Sequence, residues 1–302
     1  MDNYKELLNN CLFRYRPYNE NTISALKADR LYFSIPAYFN DPNDCYLFPA
    51  VDSILNQVDY ELKHYMESYI ALSMWKNPLA SAAAKTVWYS ENRDTHIMRF
   101  MENVKNTIIQ ISKNMRYNVK AICFSQCYDS ILMWSHYTDS HKGFILAYEK
   151  DSIEKADRYG DNDIMIENKT VLRPITYTDT ITDITKEMES YYKYLIIQIN
   201  HGFDVNKSFL PQKPLRELLF MKSSVWSYEQ EWRLTCRIID LINASPLNYI
   251  NCKPKAIIAR LNCESENKKE LYDISKMLKV PLLQMQRNPH TPNLELVLSE
   301  YL

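Results

Sequence analysis

Three stretches lying far apart in the chain carry side chains able to hold charge, move protons or stack against a flat ligand. The first joins Arg14 and Arg16 with Asn40, Asp41 and Asp44. The arginines stand at i, i+2, so an extended segment puts both on one face and Tyr15 on the other. Two guanidinium forks side by side suit a diphosphate, although a lone surface arginine more often pairs with a carboxylate. Asn40, Asp41 and Asp44 sit in Phe39-Asn-Asp-Pro-Asn-Asp44, where Asx side chains equally serve to lock a tight turn. The second stretch, Trp134 to Gly143, holds His136 and His141 for acid–base or ligand contacts, and Trp134 and Tyr137 as rings to line a pocket or simply to fill a core. The histidines are five apart rather than the i, i+4 of a helical metal pair, and no metal is expected. The third stretch, Trp226 to Arg233, places Glu229 and Glu231 at i, i+2. Carboxylates facing one way on a strand repel unless a cation or a reaction uses them, or a solvated hairpin dilutes them.

Composition bounds what these clusters can be. The 302 residues are 46% hydrophobic and 24% charged with a net charge of −1, ordinary for a globular chain with a sizeable core. There is no global basic signature of nucleic-acid binding. Only Gly143, Gly160 and Gly202 are glycines, so no glycine-rich phosphate cradle exists, and a bound nucleotide must be held by side chains or a helix N-terminus. Seven cysteines without CxxC spacing predict free thiols in a reducing compartment. The opening MDNYKELLNN is too polar for a secretory leader, and no apolar run approaches the ~20 residues of a membrane span. The expected location is the cytoplasm, away from membranes.

The elements that must position the clusters follow from periodicity. Strands are expected at Leu12–Arg16, Leu31–Ile35, Lys120–Ser125, Gly143–Tyr148, Val171–Tyr177, Glu229–Ile239, Ala256–Ala259 and Pro281–Met285. Pro174 marks the fifth as an edge. Asn21–Asp29 and Glu264–Leu278 read as helices, and Ser130–Tyr137 as a short helix or turn. From Val51 to Met115, Ile54, Val58, Leu62, Tyr65, Met66 and Tyr69 recur at helical spacing; Ile184–Leu219 is helical too, broken near His201-Gly202 and Pro211–Pro214. The pattern predicts a single α+β domain with a mixed, mostly antiparallel sheet and a helical insertion near 51–115.

Taken together the clusters resemble a bacterial family known as domain of unknown function 2971. The resemblance rests on Tyr15-Arg16, Phe39 to Asp44, Cys123-Phe-Ser125, Leu132 to Tyr137, His141-Lys-Gly143, and Lys222 with Trp226 to Arg233. It runs in order from residue 12 to 239, with Asn43 where the family has an aromatic residue. It marks a site, Lys222 and Arg233 included, without implying a reaction. The order arginine strand, short helix, strand with Phe33-Ser34 and late Glu-x-Glu also resembles the ADP-ribosyltransferases. That resemblance implies Arg16, helped by Arg14, on an NAD pyrophosphate, Ser34 bracing the nicotinamide ribose, Glu231 on a ribose hydroxyl and Glu229 as accessory carboxylate. It implies an NAD-consuming effector or toxin, for instance one acting against phage, with a protein or nucleic acid as target. Two readings compete with it. One is a metal-dependent nuclease or hydrolase using Asp41, Asp44, Glu229 and Glu231. The other is a non-catalytic module that senses a nucleotide or binds a partner. Oligomeric state is not legible.

Overall fold

The computed structural model describes residues 6–46, 50–60, 93–167, 170–180, 183–200, 216–236, 245–288, 290–291 and 294–298, together with 63, 82, 86 and 89. Internal contacts divide the chain into two units, one of Met1–Asp41, Asn118–Asp179 and Phe220–Leu302, the other of Pro42–Tyr117 and Thr180–Leu219. Leu62, Tyr65, Met66, Tyr69, His201-Gly202, Pro211–Pro214 and residues 237–239, all used in the expectations above, lie outside the described residues.

The first unit runs β1 (Cys11–Arg16), α1 (Glu20–Lys27), β2 (Arg30–Tyr32), β3 (Ala121–Ser125), α2 (Ile131–Tyr137), β4 (Phe144–Glu149), α3 (Lys150–Lys155), β5 (Arg158–Tyr159), β6 (Thr170–Pro174), β7 (Thr176–Tyr177), β8 (Met221–Lys222), β9 (Glu231–Cys236), β10 (Tyr249–Asn251), β11 (Ala256–Ala259), α4 (Ser265–Leu278), β12 (Leu282–Arg287) and β13 (Leu294–Leu298). Eight strands form one sheet in the order β13-β12-β11-β4-β1-β3-β9-β6. Among the described residues of this sheet only β11 and β12 are parallel, and α4 makes their crossover; its other pairings are antiparallel. This is the expected α+β class. β6 is an edge, which suits Pro174, a residue with no N–H to offer a further strand.

Alternation along each strand divides the core in two. Leu12, Ile122, Phe124, Phe144, Leu146, Leu234 and Ile257 pack on one face with Ile23 and Leu26 of α1 and Leu271, Ile274 and Leu278 of α4. Phe13, Tyr15, Ile145, Ala147, Ile258 and Met285 pack on the other with Met133 and Trp134 of α2. Helix starts are set locally. Asn19 caps α1 by accepting from Thr22 N–H while Thr22 Oγ accepts from Asn19 N–H, and Ser130 accepts from Met133 N–H at the start of α2. In the second unit Ile54 and Val58, then Val104, Ile108 and Ile111, then Met188 and Tyr192 are buried at helical spacing. Their helices include Arg93–Asn118 and Thr185–Asn200.

Two departures from the expected strands matter for the site. β2 stops at Tyr32 and belongs to a small sheet with β10 and β5, while Ser34 makes a single bridge to Ala121. β1 pairs with β4 along its whole length but with β3 only at Phe13–Ser125. Beyond Phe13 the sheet therefore splits between β1 and β3, and the Arg14–Arg16 end of β1 borders the gap. That end is fixed from the other side by Gly143, where an added Cβ would come within 2.1 Å of the Arg16 carbonyl oxygen. Gly143→Ala must push β1 away from β4 and should cost roughly 1–3 kcal/mol, read as a lowered urea midpoint with an unchanged m-value.

Candidate functional site

The gap between β1 and β3 opens into a cavity of about 580 Å³ lined entirely by the first unit. Small-molecule sites span about 300–1,000 Å³, so the volume suits a ligand of nucleotide size. Of the residues singled out in the sequence, Arg14, Arg16, Ser34, Asn40, Tyr137, Lys222, Glu229 and Glu231 line it. Phe13, Phe33, Phe39, Phe124 and Met133 supply apolar wall between them.

Its charges form two separate groups. The first is cationic and comes from β1. Arg14, 9% exposed, donates from Nη2 to the Tyr32 carbonyl at 3.1 Å, whereas Nη1 is enclosed and has no partner. Burial and, after it, repulsion by Arg16 bring its pKa down to about 9. Burial lowers that of Arg16 as well, and only the Tyr148 phenol opposes it. No described carboxylate forms an ion pair with either. Two guanidiniums thus share a partly desolvated wall with no counter-charge, a costly arrangement unless an anion joins them.

The second group comes from the opposite side of the gap. A six-residue 3-10 turn, Ser224–Glu229, precedes β9, and Gln230 takes a left-handed conformation at φ 44°. Glu229 therefore ends a turn and Glu231 begins the strand, rather than both lying on one strand as expected. Lys222 Nζ reaches both carboxylates, at 2.6 Å from Glu229 Oε2 and 3.3 Å from Glu231 Oε2. Arg233, fully buried, donates from Nε at 2.9 Å and Nη2 at 2.8 Å to Glu231 Oε1. Asn40 Nδ2 donates to Tyr137 Oη at 2.6 Å, and Tyr137 donates to Glu229 Oε1 at 2.5 Å. Burial pushes the Glu229 carboxyl above its ordinary range despite Lys222, and burial and then the Glu229 charge push the Tyr137 phenol up.

Other candidates lie off the cavity wall. Trp134 is fully buried among core residues and donates its indole N–H to the Tyr128 carbonyl at 2.8 Å, so it is not free to line a ligand pocket. His136 is exposed, with Nδ1 3.1 Å from Tyr228 Oη. Asp41 and Asp44 are buried outside the lining, and Asp44 belongs to the second unit. His141 lies in the loop after α2 and does not line the cavity. Among the described residues no group of three or more His, Cys, Asp or Glu could hold a metal ion. Between Glu229 and Glu231, the place a cation would take is filled by the Lys222 ammonium.

Two contributors went unread in the sequence. Ser125 faces Glu231 across the β3–β9 ladder and donates to the Glu229 carbonyl at 2.6 Å. Tyr177 accepts the Glu231 backbone N–H at 2.7 Å. Ser125 is marked by its place in Cys123-Phe-Ser125; nothing local marks Tyr177.

Lys222→Met leaves two buried carboxylates without their shared cation and should destabilise the fold by about 3–5 kcal/mol at neutral pH. Because protonation removes those charges, the loss should shrink on acidification, and Lys222→Met/Glu229→Gln should recover part of it in chemical denaturation.

Among the described residues no helix is long and apolar enough to cross a membrane. No curated protein and no solved structure matches the chain. One family model does match, over residues 133–234, the stretch that brings Tyr137, Lys222, Glu229 and Glu231 to the cavity but not Arg14 or Arg16: this part of the chain is similar to the family described as "Protein of unknown function (DUF2971)".

Proposed function

We propose that the cavity binds NAD and cleaves its nicotinamide–ribose bond, passing ADP-ribose to a nucleophile. The observation that carries this reading is the two-sided charge. An unneutralised guanidinium pair and a carboxylate pair line one nucleotide-sized cavity. Arg14 and Arg16 take the pyrophosphate, whose two negative charges match their two positive ones. Glu231 Oε1 is occupied by Arg233, but Oε2 carries only the longer Lys222 contact, which leaves it able to accept a ribose hydroxyl. The carboxylates then stabilise the positive charge that develops on the ribose in the transition state. The bond between ribose C1′ and the pyridinium nitrogen breaks, and its electron pair leaves with neutral nicotinamide. The incoming nucleophile bonds C1′ and gives its proton to Glu229, whose raised pKa suits a base. Water as nucleophile gives free ADP-ribose; a protein or nucleic-acid target gives a modified macromolecule.

A non-catalytic nucleotide sensor is the second reading, favoured by the tight Arg233–Glu231 pairing, which spends much of that carboxylate on structure. Nicotinamide release separates the two. Wild-type protein with NAD and cell lysate should release nicotinamide, and Glu231→Gln should slow it by about 10²–10³-fold while NAD still binds. Binding of NAD with no release by the wild type would establish the sensor. No binding at all, or equal release by both proteins, would sink the NAD reading.

The pH profile gives an independent check. Glu229 must be ionised, so kcat/KM should fall on acidification through a value above the ordinary 4.5 of glutamate. Arg14 must be charged, so it should fall again near pH 9. kcat should lack the alkaline limb, because bound pyrophosphate holds the proton on Arg14.

A further inference from the structure

The sheet parts at the other end of β1 as well. β3 ends at Ser125, the partner of Phe13, and the loop that follows it leaves the start of β1 uncovered. Between that loop and the first residues of β1 lies a second cavity of about 390 Å³, wholly within the first unit. Its volume falls in the range of about 300–1,000 Å³ typical of small-molecule sites. Phe13 is common to the walls of both cavities. Among the described residues no acid lines the second one, and Lys150 is its one charged group.

Trp232 of β9 holds two of the lining side chains. The Lys150 ammonium lies 4.0 Å from the centre of an indole ring, which attracts the charge without neutralising it. Its neighbours in the chain are engaged elsewhere, Glu149 with Lys255 at 3.4 Å and Asp151 with Lys155 at 3.8 Å, and no described carboxylate pairs with Lys150. The indole N–H of Trp232 donates to Gln126 Oε1 at 3.3 Å. Because an indole nitrogen only donates, this bond fixes the amide the right way round and leaves Nε2 with no described acceptor. The backbone is held too: Lys150 N–H donates to the Asn10 carbonyl at 3.2 Å, and Gln126 N–H to the Gln230 carbonyl at 2.9 Å. Asn9 and Asn10 add two carboxamides and Tyr128 a phenol, none with a described hydrogen-bond partner. The Tyr128 ring packs edge-on against Phe13, centroids 5.2 Å apart, and gives the cavity an apolar wall.

We propose that this second cavity binds a small hydroxylated monocarboxylate, with the size and chemistry of a sugar acid. The single ammonium matches one carboxylate, and their hydrogen bond is charge-assisted. Carboxamides both donate and accept, as hydroxyl groups do, so Asn9, Asn10 and Gln126 suit a polyol chain. The Tyr128 and Phe13 rings offer a surface to its C–H groups. A neutral sugar leaves the ammonium without a counter-ion, a plain carboxylate leaves the amides to water, and a dianion exceeds the one positive charge. The inference stands whether or not NAD is the ligand of the first cavity.

The test is calorimetry on the full chain at constant ionic strength with D-gluconate as the probe. One saturable site is expected, with D-glucose and acetate each bound at least about tenfold more weakly. Lys150→Met should weaken gluconate at least about tenfold, and Gln126→Met should weaken it as well, with circular dichroism unchanged. Arg16→Met should leave it unaltered. Absence of saturable gluconate binding, or equal binding of glucose or acetate, overturns the proposal. So does an affinity that falls in Arg16→Met and not in Lys150→Met, which would put gluconate in the first cavity. Should Lys150→Met fail to fold, Gln126→Met decides: weakened gluconate binding supports the site, and unchanged binding overturns it.

Discussion

Positive charge without a partner organises the first unit. A protein interior tolerates an ionised group when a counter-ion or a full set of hydrogen bonds meets it. Glu229 and Glu231 meet that condition through Lys222, Arg233 and Tyr137. Among the described residues Arg14 and Arg16 pair with no carboxylate, and burial lowers their pKa values. The same fold that gives its carboxylates cationic partners leaves two guanidiniums lining the cavity with no described carboxylate beside them, and the proposal of an anionic ligand rests on that asymmetry.

The asymmetry follows from one feature of the sheet. Had β1 and β3 paired along their whole length, the cross-strand neighbours of Arg14 and Arg16 would have closed the gap. With Phe13–Ser125 as their single pair, the sheet keeps one hydrophobic core on each face yet opens at its centre. Side chains of opposite faces can then reach one space. Arg14 and Arg16 share the face of Leu12, while Glu231 shares that of its ladder partner Ser125 and hence of Phe13. Gly143 holds the split by letting the loop after α2 press against the Arg16 carbonyl.

The two rings read as lining a pocket or filling a core divide between those places. Trp134 and Tyr137 are three residues apart on one short helix, yet Trp134 fills the core and Tyr137 reaches the cavity. Helical rotation sends one ring inward and the other towards Glu229. Residue type could not distinguish them. Trp134 also carries the Arg260 guanidinium over its ring and accepts the Thr138 hydroxyl at its carbonyl, both contacts of the core.

What the sequence determined by itself is local. Short apolar or alternating runs bounded by turn residues set β1, β3 and β4 close to their true bounds, and apolar spacing set α1 and α4, because these follow from neighbouring residues alone. The i, i+2 spacing likewise put both arginines on one face of β1. The tertiary structure alone decided which charges meet. Lys222 between the carboxylates, Arg233 on Glu231 and the lack of a described carboxylate beside Arg14 depend on strand order and on where β1 leaves β3. Those are long-range properties of the sheet, set by how two hydrophobic faces are buried at once, and no window of neighbouring residues contains them.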